Sequence, residues 1–220
     1  MPEKQGGEFV AKMEDILEVY ALPPEEEGDV VLVCMDEQPV QLLEGRYEAI
    51  EMKPGSPKKE DFQYIRKGVC SIFMFTAPHL GWRHVDALEH RTKVDWAHQI
   101  DYLVNTVFAD KRKIRLVLDN LNVHTLGAFY EAFDPVKARA IVERLELHFT
   151  PKHGSWLNVA EIELAAMTRQ CLSRRIGDLG VLRGELFAWE VSRNANSKTV
   201  NWHFTTENAR GKLRFLYPKI

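Results

Sequence analysis

Apolar residues recur at three- and four-residue spacing over residues 8–20, placing Phe9, Met13, Ile16, Leu17 and Tyr20 on one face. This spacing predicts a short amphipathic helix, stopped by Leu22-Pro23-Pro24 and followed by an acidic loop. From Val30 to Met35 every position is apolar, the mark of a strand buried on both faces, and the run ends at Asp36-Glu37. Residues 53–60 are rich in Pro, Gly and Lys and predict an exposed loop. Two strand patterns, 68–76 and 82–89, flank Pro78 and Gly81 and read as a hairpin. Residues 93–108 carry Val94, Ala97, Ile100, Leu103, Val104 and Val107 on one helical stripe. A basic turn then leads into the apolar strand 114–118, which ends at Asp119-Asn120. Short helical pieces are predicted at 125–133 and 135–144, and Leu145, Leu147 and Phe149 alternate as a half-buried strand. A long helix at 155–174, with Leu157, Ile162, Leu164, Ala165 and Leu172 facing inward, precedes helices at 179–193 and 207–216.

Strands that come first and then alternate with helices predict an α/β domain, a mixed sheet flanked by helices. No repeat or Ser/Gly linker divides the chain, so the expected division is an N-terminal helix and acidic linker at 1–28 and one domain at 29–220. The 220 residues are 45% hydrophobic and 28% charged, which excludes a disordered or collagen-like chain. No apolar run is long enough to cross a bilayer and the N-terminus has no secretory pattern, so no membrane partner and a cytoplasmic location are expected. Three widely spaced cysteines, with no CxxC, argue against a disulfide framework or a zinc knuckle. A net charge of -3 is unlike that of a nucleic-acid binder, but bases cluster between Lys152 and Arg214 and leave room for a local basic face.

The chemistry concentrates where the apolar strands end. Asp36 and Asp119 follow the two most apolar strands, and ligands of α/β sheets collect past such ends. On neighbouring strands the two carboxylates repel unless a cation lies between them, and oxygen donors without Cys favour Mg²⁺ or Mn²⁺. An Asp in this position also serves as a turn former or helix cap, and for one such residue alone that plainer reading stands. A third acid comes from the segment FTPKHGSWLNVAEIE. Glu161 and Glu163 are ~200° apart on a helix, so one at most faces a shared site. Leu157 and Ala165 flank Glu161 on an apolar stripe, where a structural glutamate is costly, and Glu163 is expected at the rim; Glu161 is the choice.

MDEQP, LVLDNLNVHT and LHFTPKHGSWLNVAEIE together resemble the D-D-E transposases of bacterial insertion sequences, specifically the insertion sequence 630 family related to mariner-type elements. The likeness extends to GWRHV and to the terminal FTTENARGKLRFLYP. It implies a ribonuclease H-like catalytic domain at 29–220 holding two Mg²⁺ or Mn²⁺ ions on Asp36, Asp119 and Glu161, with water cutting the element's ends and the freed 3′-OH attacking target DNA. Asn120, His124, Lys152 and His153 are the expected DNA contacts; Asn120 and His124 also suit ordering of the metal ligands, or a capped turn. Trp156 either stacks on a base or staples its helix to the core, the latter being expected, and Asn158 is expected to secure its loop by hydrogen bonds. Residues 1–28 are too short and acidic for the helix-turn-helix that reads transposon ends, so a separate helix-turn-helix half or a homodimer is an expected partner beside transposon-end and target DNA. The nucleoid is the expected place of action. The alternative reading is a catalytically idle remnant, or a dimerising inhibitor of a full-length transposase.

Overall fold

Strand β1 (Val30–Gly45) lies at the centre of a five-stranded sheet, with β2 (Tyr64–Ala77) and β3 (Trp82–Leu88) on one side and β4 (Lys113–Leu118) and β5 (Leu145–Phe149) on the other. The order is β3-β2-β1-β4-β5, with β1, β4 and β5 parallel and β2 antiparallel to both β1 and β3. The computed structural model describes residues 6–22, 28–47, 52–56 and 62–218. The acidic loop at 23–27 and residues 57–60 of the expected exposed loop lie outside the described residues.

Alternation along the strands builds two apolar layers. Leu32, Cys34, Ile72, Met74 and Val117 join a core on one face with α1 (Gly7–Ala21), α5 (Val159–Cys171) and α6 (Leu179–Ala195). Val31, Val33, Met35, Phe73, Phe75 and Leu116 join a core on the other with α2 (Lys93–Tyr102), α3 (Gly127–Ala132) and α4 (Pro135–Arg144). A last helix, α7 (Thr206–Lys212), packs against α1. Both faces of the Val30–Met35 run are therefore covered, as its unbroken hydrophobicity predicts. Among the described residues no helix is long and apolar enough to cross a membrane.

Several element boundaries differ from the pattern. β1 does not stop at Asp36: its ladder with β2 continues to Gly45↔Tyr64, while its pairing with β4 ends at Cys34↔Val117. Hydrophobicity marks the part of the strand under the helical layers, whereas pairing follows the length of the partner; Pro39 is accommodated where β1 has one open edge. The helix expected over 93–108 is α-helical to Tyr102 and then widens into a π turn at Leu103–Val107. The helix expected over 155–174 is broken: a 3₁₀ turn at Ser155–Leu157 gives way to extended Asn158, and α5 starts at Val159.

Candidate active site

The register of the sheet brings the two aspartates together. Cys34 pairs with Val117 in the parallel ladder, so Asp36 and Asp119 stand level two residues on, with the parity of the Leu32, Cys34 and Val117 face. That face is the one α5 covers. Asn158 joins the helix to the strand: its Nδ2 donates to the Met35 carbonyl at 2.7 Å, and its Oδ1 caps α5 by accepting from Ala160 N at 3.1 Å. Tyr20 braces the preceding turn, donating to the Leu157 carbonyl at 2.7 Å. Glu161 consequently lies in the first turn of α5 rather than two turns in, where the helix dipole favours a carboxylate.

Asp36 registers its surroundings. Burial, reinforced by the charges of Asp119, Glu161 and Glu37, pushes its carboxyl from the usual range up to about 7, against a hydrogen bond from the Glu37 amide. The three acids selected in the sequence thus share one electrostatic neighbourhood. A carboxyl that holds its proton more tightly when folded contributes stability that is full below pH ~4 and lost as pH rises through about 7. Asp36→Asn, which cannot ionise, is therefore expected to gain on the order of 2 kcal/mol over the parent between pH 5 and pH 8 without metal. Urea melts at the two pH values check this; an equal difference at both refutes it.

Successive strand residues point to opposite faces, and Glu37 turns away from Asp36. Its buried carboxylate meets His124 Nε2 at 3.0 Å, with Arg91 Nε at 3.3 Å on the other oxygen. His124 Nδ1 lies 3.2 Å from the Asp119 carbonyl oxygen and 2.9 Å from Asp119 Oδ1, the latter an ion-pair distance outside hydrogen-bond geometry. Burial lowers the affinity of this imidazole for a proton, but Asp119 and Glu37 outweigh burial and raise it to about 9, so His124 is an imidazolium at neutral pH. Trp96 lies against its ring, with centroids 5.3 Å apart. At 2% exposure His124 offers no surface to a phosphate, which corrects its reading as a DNA contact; it holds the Asp119 segment in place.

Asn120, Lys152 and His153 are exposed instead. With Asp119, Thr150 and Ser155 they line a groove of about 360 Å³, and His153 takes a left-handed backbone at φ 64. Trp156 is not a core residue: it is 44% exposed in the middle of the 3₁₀ turn, which the extended Asn158 separates from α5.

The family profile described as DDE superfamily endonuclease matches residues 31–183, a span that contains all three acids. The chain belongs to the DDE superfamily of endonucleases. Among solved structures it is similar to the Mos1 strand transfer complex, at 13% identity and TM-score 0.66, covering 100% of this chain and 64% of that one. Similar too are a pre-cleavage Mos1 transpososome, at 12% and 0.64 with 100% and 65% covered, and the Mos1 mariner paired end complex with Mn, at 14% and 0.59 with 94% and 62% covered. At these identities the likeness establishes the fold, a ribonuclease H-like mixed sheet flanked by helices, and this chain spans less than two thirds of the Mos1 chains. No curated protein sequence matches it at a significant level.

In this DDE endonuclease the other glutamate of α5 has a structural task. Glu163 is not at the rim: it is 1% exposed, with Arg83 Nη2 at 2.9 Å from Oε1 and Arg193 Nε at 2.9 Å from Oε2. Burial raises its pKa, but hydrogen bonds from Arg193 and Arg83 prevail and hold the carboxyl below the usual range. Arg83, equally buried, also donates to the Gly81 and Lys198 carbonyls, both at 2.6 Å. The stripe assigned to Glu161 in the sequence is rotated, since Ile162 and Ala165 are exposed whereas Glu163, Ala166 and Met167 are buried. Clamping Glu163 inward leaves Glu161, ~200° round the helix, on a less buried side.

The donors suit a hard divalent ion: three carboxylates, with Asp36 disfavoured as an anion by burial first and then by the charges of its acidic neighbours. The described residues hold no ready-made cluster of three acidic, His or Cys side chains around one point.

Proposed function

We propose that this chain is the catalytic part of a transposase of the insertion sequence 630 type, cutting DNA strands and joining them to a target. Asp36, Asp119 and Glu161 would hold two Mg²⁺ or Mn²⁺ ions. Bound there, the ions lower the pKa of the attacking water or 3′-OH and stabilise the leaving oxygen. The chain's own part is placement. Register sets the two aspartates level, Asn158 ties the helix bearing Glu161 to β1, and the Glu37–His124 pair steadies the Asp119 loop. Lys152, His153 and Asn120 in the adjoining groove serve the phosphate backbone, where a local cation suffices despite the acidic whole. Transposon ends and target DNA are the substrates in this reading, and a helix-turn-helix half and a second copy of the chain are its proposed partners.

The observation that carries the reading is that Asp36, at the end of the apolar run, lies within electrostatic reach of Asp119 and Glu161 from two distant segments: burial first, and then their charges, raise its proton affinity. The direct test is nicking of supercoiled plasmid in Mn²⁺, with EDTA as control. Nicking that depends on the metal supports the proposal; none at any Mn²⁺ concentration, from protein whose melting shows it folded, leaves an idle remnant.

A further inference from the structure

We propose that Trp156, with Phe204 and Trp202 behind it, stacks an unpaired base of the DNA strand held beside the carboxylates. This rests on the reading that the chain acts on DNA, and it adds a base-binding site to the carboxylate and phosphate contacts.

Trp156 sits at a junction. Ser155 before it lines the groove that contains Asp119 and Lys152, while Leu157 after it is fully buried and tied to Tyr20. The backbone is thus pinned, yet the indole is 44% exposed, a large apolar ring left partly in water. On its far side Phe204 meets it edge-on, with centroids 6.1 Å apart and planes at 75°. Beyond Phe204 opens a cleft of about 490 Å³ lined by Trp202, Phe204, Tyr20, Thr199, Asn201 and Thr205. Trp202 is already ordered: it packs on Tyr20 at 4.8 Å, and its Nε1 donates to the Phe204 carbonyl at 2.8 Å.

Rings fixed in advance lose little entropy on meeting a ligand. The cleft lies within the size range of small-ligand sites and mixes aromatic with polar side chains; Phe204 belongs both to its lining and to the Trp156 ring contact. Aromatic faces beside a cation that tracks the backbone are the combination single-stranded nucleic acid requires. Duplex bases are already stacked, so an unpaired base is the fitting ligand. Phe187 on α6 is exposed as well, at 67%, but lies outside the Trp156–Phe204 ring contact, and so serves as a control.

The test uses a single-stranded oligonucleotide carrying 2-aminopurine, without metal, so that binding is read apart from cutting. The parent is expected to quench the probe and to bind the strand more tightly than a duplex of equal length. Trp156→Ala weakens binding about tenfold and abolishes quenching, with an unchanged salt dependence because no charge is lost. Trp156→Phe recovers most of the affinity, and Phe187→Ala binds as the parent does. Lys152→Ala, by contrast, flattens the salt dependence. Affinity of Trp156→Ala within twofold of the parent, or equal weakening by Phe187→Ala, overturns the proposal. Should Trp156→Ala melt early, Phe204→Leu probes the same stack, and parental affinity and quenching there overturn it. Quenching that depends on Trp156 in a protein without Mn²⁺-dependent nicking keeps the base site and sinks the strand-cutting reading; nicking with Trp156-independent binding does the reverse.

Discussion

Asp119→Asn is expected to lower Mn²⁺-dependent plasmid nicking by ~10³-fold or more, since a carboxylate that holds a catalytic cation supports several kcal/mol of transition-state stabilisation. The substitution keeps the shape of the side chain and leaves the His124–Glu37 contact at 3.0 Å in place. Glu161→Gln should fall as far, although Glu161 reaches the site from a different element. Stability should change little for Glu161→Gln, which loses a partly exposed charge at a helix N-terminus worth ~0.3–1 kcal/mol. The rate of nicking per folded molecule, followed on agarose gels at several Mn²⁺ concentrations, checks both. Rates within tenfold of the parent for either variant remove it from the metal-binding set.

Two residues along the same helix the expected effect is of another kind. Glu163→Ala should destabilise the fold by ~3–5 kcal/mol, because it leaves the guanidinium of Arg83 buried without its counter-charge. Arg83 has little recourse: it is 1% exposed, and its Nε has no hydrogen-bond partner among the described residues. Arg193 is less confined, with 27% of its side chain exposed, so the cost falls on Arg83. Equilibrium urea unfolding measures it. A loss below 1 kcal/mol would show that water enters the clamp freely and that Glu163 does not set the rotation of α5. The parent clamp also weakens as pH falls, because a carboxyl held below its usual range contributes stability present above that range and lost once acid protonates it.

These opposite expectations for neighbouring glutamates show where sequence and structure part. The motif order points to Glu161, whose charge contributes to the raised proton affinity of Asp36. The periodicity offered for that choice was not sound, because it assumed an unbroken helix from residue 155. Asn158 interrupts the helix to bond the Met35 carbonyl, and the shift in phase moves Glu163, not Glu161, onto the buried face. Nothing local in the sequence announces a contact between residues 35 and 158. The partners of Glu163, at positions 83 and 193, are also far from it in the chain, by 80 and 30 residues. His124 illustrates the same limit: a histidine five residues after Asp119 looks like a loop contact until Glu37 and Trp96 are seen to enclose it. One clue was available, since strand alternation alone sends Glu37 to the face opposite Asp36.

The amino-acid pattern by itself determined what runs of a few residues can encode: the strands that are covered on both faces, the helices with one apolar side, and the carboxylates that follow apolar runs. These are consequences of burial period, and burial period is written locally. Only the tertiary structure decided that β1 outlasts its hydrophobic segment, that Asp36 and Asp119 stand level, and which glutamate of α5 is clamped and which is presented. Those outcomes depend on strand register and on buried polar contacts between residues far apart in the chain, whose energies exist only once the segments have met.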